Sequence, residues 1–324
     1  MKKKLLMLLA LMLAVTLAVM AVVYAITTLK SSGSKKDEYS IRIVTSFYPV
    51  YILTINLTDQ IQGIKVDSLT DFSWGCLHDY QLTTDDMRLL SDADVFIING
   101  GGMEEYLEEV IKSYPNLSVI DLGKNIPMLE SHEHEGDKNP HVWLDPDLYM
   151  MQIENARQGL EEYIRSSADK NRDDKAERLN SNAELYLDKV RDIAEDMNKL
   201  LQSVKDMADK KDISNKVVIF HDSFAYLAGK AGLDVAYTLE VDDDTPLGAG
   251  EIAEIIDAIK DKKIRYLFAE YQHGNTISDR IEEETDAKVY IIDTAVTGDT
   301  DKDSYLRSMR NNIDTLKKAF ESGN

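Results

Sequence analysis

Cysteine is almost absent from this sequence, which excludes several classes of binding site. Of the 324 residues, one is cysteine, 6 are proline and 16 are glycine. Cys76 alone cannot form an internal disulfide, a cysteine-rich zinc site or a cysteine-ligated iron–sulfur centre. The sequence also lacks a Gly-x-x-x-x-Gly-Lys-[Ser/Thr] motif, so it does not carry the phosphate-binding loop of an ATPase.

Positive charge is also in short supply. Lys and Arg number 37 against 58 Asp and Glu, which gives a net charge of -21. Nucleic-acid phosphates and anionic membrane surfaces repel such a chain, so nucleic acid is excluded as a partner. The hydrophobic fraction of 44% is that of an ordinary globular protein. At about 150 residues per domain, this length indicates two domains.

The N-terminus has the form of a targeting segment. Lys2–Lys4 are basic, and Leu5–Ile26 is almost entirely apolar, without the polar stripe of an amphipathic helix. Residues 1–26 are therefore predicted to be a signal peptide cleaved after Ala25, or an uncleaved signal anchor long enough to span a bilayer. Residues 27–39 are expected to be a flexible spacer, and the chain to lie outside the cytoplasmic membrane of a bacterium, secreted or anchored.

From residue 40 onward, short β-branched runs alternate with helical stretches, and this pattern occurs twice. It predicts an α/β fold with two similar parallel-sheet lobes and covering helices, at 40–146 and 211–324. The predicted strands are 40–45, 64–69, 95–99 and 118–121, then 216–220, 234–239, 266–270 and 288–293. The predicted helices are 50–62, one from 84, one from 103 after a run of three glycines, 223–231, 249–260, 277–285 and 304–320.

The region between the two lobes has a different pattern. Residues 147–210 contain no strand-like run and no proline, and their apolar residues recur at helical spacing from Leu179 to Leu201. We expect a short helix followed by one long helix. A helical connector of this kind is stiffer than a Gly/Ser linker, so the two lobes are predicted to be joined rigidly.

Three histidines and one aspartate stand at the carboxyl ends of predicted strands or in the loops beyond them, where α/β folds place their binding sites. His78 follows the second strand, His141 lies before the connector, His221 follows the strand 216–220, and Asp293 ends the last strand. Two of these residues come from each lobe, so they would meet in the cleft. A single histidine at a strand end more often makes a structural hydrogen bond, and spacing alone leaves both interpretations open.

Sequence motifs around these residues resemble a known family. The motifs are His78-Asp79-Tyr80-Gln81-Leu82-Thr83, Pro140-His141-Val142-Trp143-Leu144-Asp145-Pro146, and Phe220-His221-Asp222-Ser223-Phe224-Ala225-Tyr226-Leu227. They resemble the extracytoplasmic zinc/manganese-binding receptors of ABC transporters, nearest to the zinc-uptake members, over roughly residues 40–322. The resemblance implies a long rigid connecting helix, a metal site in the interlobe cleft, and a membrane permease as partner, powered by a separate ATPase.

The same resemblance implies the metal ligands His78, His141, His221 and Asp293. The sequence departs from the family at Leu77, where proline is usual, and after Asp293, which lacks the following proline. Asp293 is therefore the least secure ligand. Its rivals are Asp222, Glu270 and Asp301, of which Glu270 is the strongest.

Three imidazoles and one carboxylate suit four-coordinate Zn²⁺, whereas Mn²⁺ prefers more oxygen ligands. We therefore predict a receptor that captures extracellular Zn²⁺ and is a monomer; the first alternative is a Mn²⁺ or mixed-metal receptor of the same class. A zinc-dependent hydrolase is a second alternative, although the chain has no His-Glu-x-x-His motif. A surface adhesin is the third.

The remaining histidines lie outside the four matched positions. His132 and His134 stand in an acidic loop and either form a weak auxiliary zinc-collecting site or are simply solvated. His273 is expected to contribute little to metal binding.

Overall fold

The fold contains two four-stranded parallel sheets, one in each half of the chain. The computed structural model describes residues 39–75, 77, 80–131, 136–211, 214–239, 248–270 and 275–322. The first sheet contains β1 (Ile41–Thr45), β2 (Ile64–Ser68), β3 (Val95–Ile98) and β4 (Ser118–Asp121), in the order β2-β1-β3-β4. All of its pairings are parallel, with Ile43 opposite both Val66 and Val95.

The second sheet repeats this order. It contains β5 (Lys216–Ile219), β6 (Asp234–Thr238), β7 (Tyr266–Ala269) and β8 (Lys288–Ile291), in the order β6-β5-β7-β8. Its pairings are also parallel. In both sheets the connections run in opposite directions from the first strand, so a crevice opens between β1 and β3 and between β5 and β7 at their carboxyl ends. These two crevices are where ligand-binding side chains are expected.

Helices cover both sheets. In the first half they are α1 (Tyr48–Leu57), α2 (Thr84–Ser91) and α3 (Glu108–Ile111). The helix predicted at 50–62 ends early because the chain turns with Gln60 and Gly63 at positive φ. Helix α2 begins where the sequence indicates, since Thr83 and Asp86 form a reciprocal capping box.

The prediction of a helix from Met103 is wrong. Residues 101–104 form turns, Glu105–Leu107 form a 3₁₀ turn, and regular helix begins only at α3. The physical reason lies in Glu104, whose carboxylate accepts the backbone N–H groups of Asn99 and Gly100 and so folds the chain back on itself.

Two long helices connect the halves, α4 (Pro146–Ser166) and α5 (Arg172–Lys211). The second half then adds α6 (Phe224–Lys230), α7 (Ala249–Lys262), α8 (Asn275–Glu284) and α9 (Ser304–Ser322). Helix α5 packs against α1 and α4 and also against α6 and α9 of the second half. Its buried residues recur at helical spacing: Leu179, Ala183, Tyr186, Val190, Ile193, Met197 and Leu200. Of the leucines that marked this spacing in the sequence, Leu185 is exposed.

Further contacts fasten the second half to the first. The Tyr48 hydroxyl donates to the carbonyl of Asp299 at 2.8 Å, and the Asn56 amide donates to that of Lys302 at 2.8 Å. The rings of Tyr149 and Tyr305 stack with their centres 3.9 Å apart. The two lobes are therefore held by α5 and by a buried interface beside it.

The predicted fold class is confirmed, with two similar parallel-sheet lobes joined by a long helix. The lobe limits 40–146 and 211–324 and the connector limits 147–210 remain predictions. Among the residues described, no helix is long and apolar enough to cross a membrane. The segment Leu5–Ile26 lies outside them.

The role of α5 can be tested with two leucines of this helix. Leu179 is fully buried, whereas Leu185 is 64% exposed. We expect Leu179→Ala to lower the free energy of unfolding by about 2–5 kcal/mol, because it leaves a cavity in the shared core. Leu185→Ala is the matched control and should change it by less than about 0.5 kcal/mol. Urea unfolding measures both; equal losses would contradict the packing described here.

Candidate metal centre

His141 lies in a segment that is clamped between the two lobes. The 3₁₀ turn Val142–Leu144 follows it directly and is fully buried. The Trp143 indole N–H donates to the carbonyl of Thr294 at 2.8 Å, and the Tyr305 hydroxyl donates to the carbonyl of Trp143 at 2.8 Å. Both partners belong to the second half of the chain, so the position of His141 is set by both lobes.

Asn139 determines the tautomer of His141. Its amide Nδ2 donates to the carbonyl of Asp222 at 2.9 Å, and a carbonyl can only accept. Its Oδ1 is therefore the atom that lies 2.9 Å from His141 Nδ1, so Nδ1 must be the donor. The lone pair of the neutral ring is then on Nε2, which is the arrangement that a metal-binding imidazole needs.

His221 lies at the crevice of the second sheet, just beyond β5. Its ring centre is 5.0 Å from that of His141, and the two ring planes make an angle of 81°. Its Nδ1 lies 3.2 Å from the backbone N of Ser223 and 3.4 Å from Glu270 Oε1. Nδ1 cannot accept the Ser223 N–H and donate to Glu270 at the same time, so these two contacts belong to different protonation states of the ring.

The four candidate acids differ in their surroundings. Glu270 follows β7 and contacts His221, and Asp222 is buried, with Ser131 Oγ 3.3 Å from its Oδ2. Asp293 is exposed and accepts the N–H of Ala295, which has φ of +54°. Asp301 is paired with Arg307 at 3.0 Å, which makes it the least suited to a cation.

A cavity of about 640 Å³ opens beside His141. Leu77, Met103, Asp137 and Asp222 are among the residues that line it. Leu77, which lines the cavity, immediately precedes His78 in the sequence.

The structure brings His141 and His221 together but does not describe every predicted residue. His78, His132, His134 and His273 lie outside the described residues, as does Cys76. Within the described ranges, no group of three or more His, Cys, Asp or Glu side chains is arranged to hold a metal ion. The ligand set His78, His141, His221 and Asp293 therefore stays a prediction.

Sequence reasoning missed a buried carboxyl group near this site. Glu104 is 4% exposed, and burial raises the pKa of its carboxyl to about 7. Glu104 ends the segment Asn99-Gly100-Gly101-Gly102-Met103-Glu104, and no sequence pattern indicates that a glutamate after a glycine turn folds inward.

The two imidazoles have the spacing expected of ligands to one metal ion. With Zn–N bonds of about 2.0–2.1 Å and tetrahedral angles, two coordinating imidazoles place their ring centres about 5 Å apart. The observed separation is 5.0 Å. This ring-centre separation therefore fits two imidazoles that share one small divalent cation.

The structure thus contains two parallel-sheet lobes, a long connecting helix and two imidazoles that meet at the lobe junction. A family model described as "ZnuA: Zinc-uptake complex component A periplasmic" matches residues 43–319. The chain belongs to this family.

Curated relatives agree with this assignment. The chain is similar to the zinc-binding protein AdcA of Streptococcus pyogenes, with 26% identity over 309 residues, covering 86% of this chain and 56% of that protein. It therefore spans about half the length of this relative. It is also similar to the high-affinity zinc uptake system protein ZnuA of Bacillus subtilis, with 26% identity over 314 residues and 91% of each chain covered.

Solved structures share the fold. FpvC of Pseudomonas aeruginosa, a solute-binding protein solved in complex with Mn²⁺, superposes with a TM-score of 0.73 at 22% identity, covering 88% of this chain and 99% of that one. The laminin-binding protein Lmb of Streptococcus agalactiae, described as having adhesin and metal-transporting activity, gives a TM-score of 0.69 at 21% identity, covering 87% of this chain and 100% of that one.

The buried carboxyl of Glu104 predicts a pH dependence of stability. Its pKa is raised from 4.5 to about 7, so its contribution to stability is fully present below about pH 4.5 and is lost as the pH rises through 7. Glu104→Gln cannot titrate. Between pH 4 and 8, the unfolding free energy of the wild type minus that of the variant should fall by about 3 kcal/mol. Urea unfolding in the presence of a chelator measures this difference; parallel pH profiles would contradict it.

Proposed function

We propose that this protein captures Zn²⁺ outside the cytoplasmic membrane and delivers it to the permease of an ABC transporter, which a separate ATPase powers. The family assignment supports this proposal, because the family is that of zinc-uptake component A. The relatives in Bacillus subtilis and Streptococcus pyogenes are named for zinc uptake and zinc binding. The chain lacks a phosphate-binding loop of its own, so the energy must come from another subunit.

The observation that carries the proposal is the geometry of His141 and His221. The ring centres lie 5.0 Å apart at an interplanar angle of 81°, and Asn139 gives His141 the tautomer with its lone pair on Nε2. The two rings come from opposite lobes. An ion bound by both would bridge the two lobes where they meet, as expected for a receptor that holds its cargo between its lobes.

The proposed ligand set is His78, His141, His221 and Asp293. Three imidazoles and one carboxylate favour Zn²⁺ over Mn²⁺, since Mn²⁺ prefers a larger share of oxygen ligands. Mn²⁺ remains the alternative cargo, and the structural neighbour FpvC was solved with that ion. Four protein ligands would fill a tetrahedral zinc site and leave no position for a nucleophilic water, which argues against a hydrolase.

Glu270 has a separate role in this proposal. Its carboxylate lies 3.4 Å from His221 Nδ1 and 3.3 Å from the Ser223 hydroxyl. When zinc takes Nε2, Nδ1 carries the proton and Glu270 is the nearby acceptor that orients the ring. Asp293 is then left as the ligand; its side chain is exposed, and its Oδ1 accepts the N–H of Ala295.

The N-terminal segment is proposed to keep the protein at the membrane. Leu5–Ile26 would remain as an uncleaved anchor, or would be removed after Ala25 and release the chain. The mature protein is proposed to work as a monomer. The adhesin alternative is a property stated for the neighbour Lmb, and it is secondary to metal capture in this proposal.

The metal preference can be tested with two histidine variants. His221→Ala should weaken Zn²⁺ binding by at least 100-fold and Mn²⁺ binding by a smaller factor. The variant removes a nitrogen donor, and Mn²⁺ prefers oxygen donors. His273→Ala is the matched control and should leave both affinities within a few-fold. Competition with a chromophoric chelator measures the dissociation constants. If His273→Ala abolished zinc binding while His221→Ala retained it, the ligand set would be wrong.

The fourth ligand can be tested with two isosteric variants. Asp293→Asn should weaken zinc binding by more than 100-fold, because it removes a directly coordinating oxygen anion. Glu270→Gln should weaken it by about 10- to 100-fold, the range typical of a residue that orients a ligand. The same chelator competition measures both. The reverse order would make Glu270 the ligand.

A further inference from the structure

Glu104 occupies a position from which it can act on the metal centre without touching the metal. It is buried at the end of β3, where its Oε1 accepts the N–H of Asn99 at 2.8 Å and its Oε2 accepts the N–H of Gly100 at 3.0 Å. One carboxylate therefore uses both oxygens to hold two consecutive peptide units of the same turn.

The turn that Glu104 holds has little freedom to take another shape. Gly100 has φ of +80°, and a Cβ at this position would lie 1.9 Å from Asp121 Oδ1. Only glycine fits there. A side chain at position 100 therefore cannot stabilise the turn. The carboxylate of Glu104 stabilises it instead, through hydrogen bonds from the backbone N–H groups of Asn99 and Gly100.

Asn99 extends this turn to the histidine segment. Its Nδ2 donates to the carbonyl of Pro140 at 2.9 Å and to that of Gly100 at 3.1 Å, and its Oδ1 accepts Gln152 Nε2 at 2.8 Å. Asn99 and Gln152 are both buried. The carbonyl of Pro140 belongs to the peptide unit whose nitrogen is that of His141. A continuous path of hydrogen bonds thus runs from Glu104 through Asn99 to the backbone of His141.

We propose that Glu104 is a positioning residue of the metal centre, which sets the turn that presents Asn99 to Pro140 and so fixes where the His141 imidazole lies. This inference rests on the proposed function, because it takes His141 as a ligand. If Glu104 positions His141, a substitution of Glu104 changes metal affinity and coordination geometry as well as the stability of the fold, although Glu104 is not a ligand.

The test compares zinc affinity and the visible absorption of bound Co²⁺, whose intensity reports coordination geometry. In Glu104→Gln, an NH₂ group faces one of the two backbone N–H groups, so the turn must relax. We expect zinc affinity to fall by about 10- to 100-fold, the range for groups that orient a ligand, and the Co²⁺ spectrum to change. Asn99→Ala, which removes the donor to Pro140, should produce the same changes.

Asn182→Ala is the matched control for loss of a buried amide. Asn182 Nδ2 also donates to two backbone carbonyls, those of Leu57 and Asp59, but at the end of α1. This variant should lose stability to urea and keep both the wild-type zinc affinity and the wild-type Co²⁺ spectrum. An effect of Asn182→Ala on the spectrum equal to that of Asn99→Ala would reduce Glu104 to a purely structural role and overturn the inference.

A double-mutant cycle tests whether Glu104 acts through Asn99. If it does, Glu104→Gln combined with Asn99→Ala should weaken zinc binding little more than either change alone. Additive losses would overturn the proposed path. His141→Ala separates this inference from the proposed function: if it abolishes zinc binding while Glu104→Gln binds normally, only the positioning role is wrong. If His141→Ala retains full zinc affinity, both proposals are wrong.

Discussion

The candidate site depends on one constraint, the clamping of the segment from Asn139 to Leu144 between the two lobes. Two buried N–H donors of this segment, the amide of Asn139 and the indole of Trp143, bind carbonyls of the opposite lobe, those of Asp222 and Thr294. Each donor is removed from water, so breaking either bond would leave a buried polar group unpaired at a cost of about 1–3 kcal/mol. The clamp therefore fixes His141 relative to His221 before any ion arrives.

The charge of the chain fits a cationic cargo. Its net charge of -21 produces a negative potential that raises the local concentration of divalent cations and repels anionic surfaces. Acidic side chains, Asp137 and Asp222 among them, line the cavity next to His141. In the proposed receptor, the many carboxylates would attract cations in general, and a few donors at the lobe junction would choose among the metals.

Much of the fold could be predicted from the sequence, because its signals are local. The run Val95–Ile98 is continuously apolar since β3 is buried on both faces, and the capping pair Thr83 and Asp86 marks the start of α2. The helix predicted from Met103 failed because the Glu104 side chain binds back to the backbone of the turn after β3, five and four residues earlier in the chain. Local propensity does not register such a contact.

Part of the candidate site could be predicted because its signals are also local in the sequence. His141 and His221 could be found because they follow predicted strands or stand in distinctive motifs, and the structure brings their rings together. Asn99, Asn139 and Gln152 could not, because a polar residue that is buried and paired across the fold looks like a solvated one in the sequence. The choice between Asp293 and Glu270 depends on distances between elements, which a sequence pattern does not contain.

In the proposed function, one zinc ion is held across the lobe junction by ligands from both lobes. A crystal structure of the zinc-loaded protein, with an anomalous difference map collected at the zinc edge, is the decisive test. We expect one strong peak about 2.0–2.1 Å from a ring nitrogen of both His141 and His221, with His78 and Asp293 as the remaining ligands. A peak that is bonded to neither His141 nor His221, or one coordinated by Cys76, would contradict it.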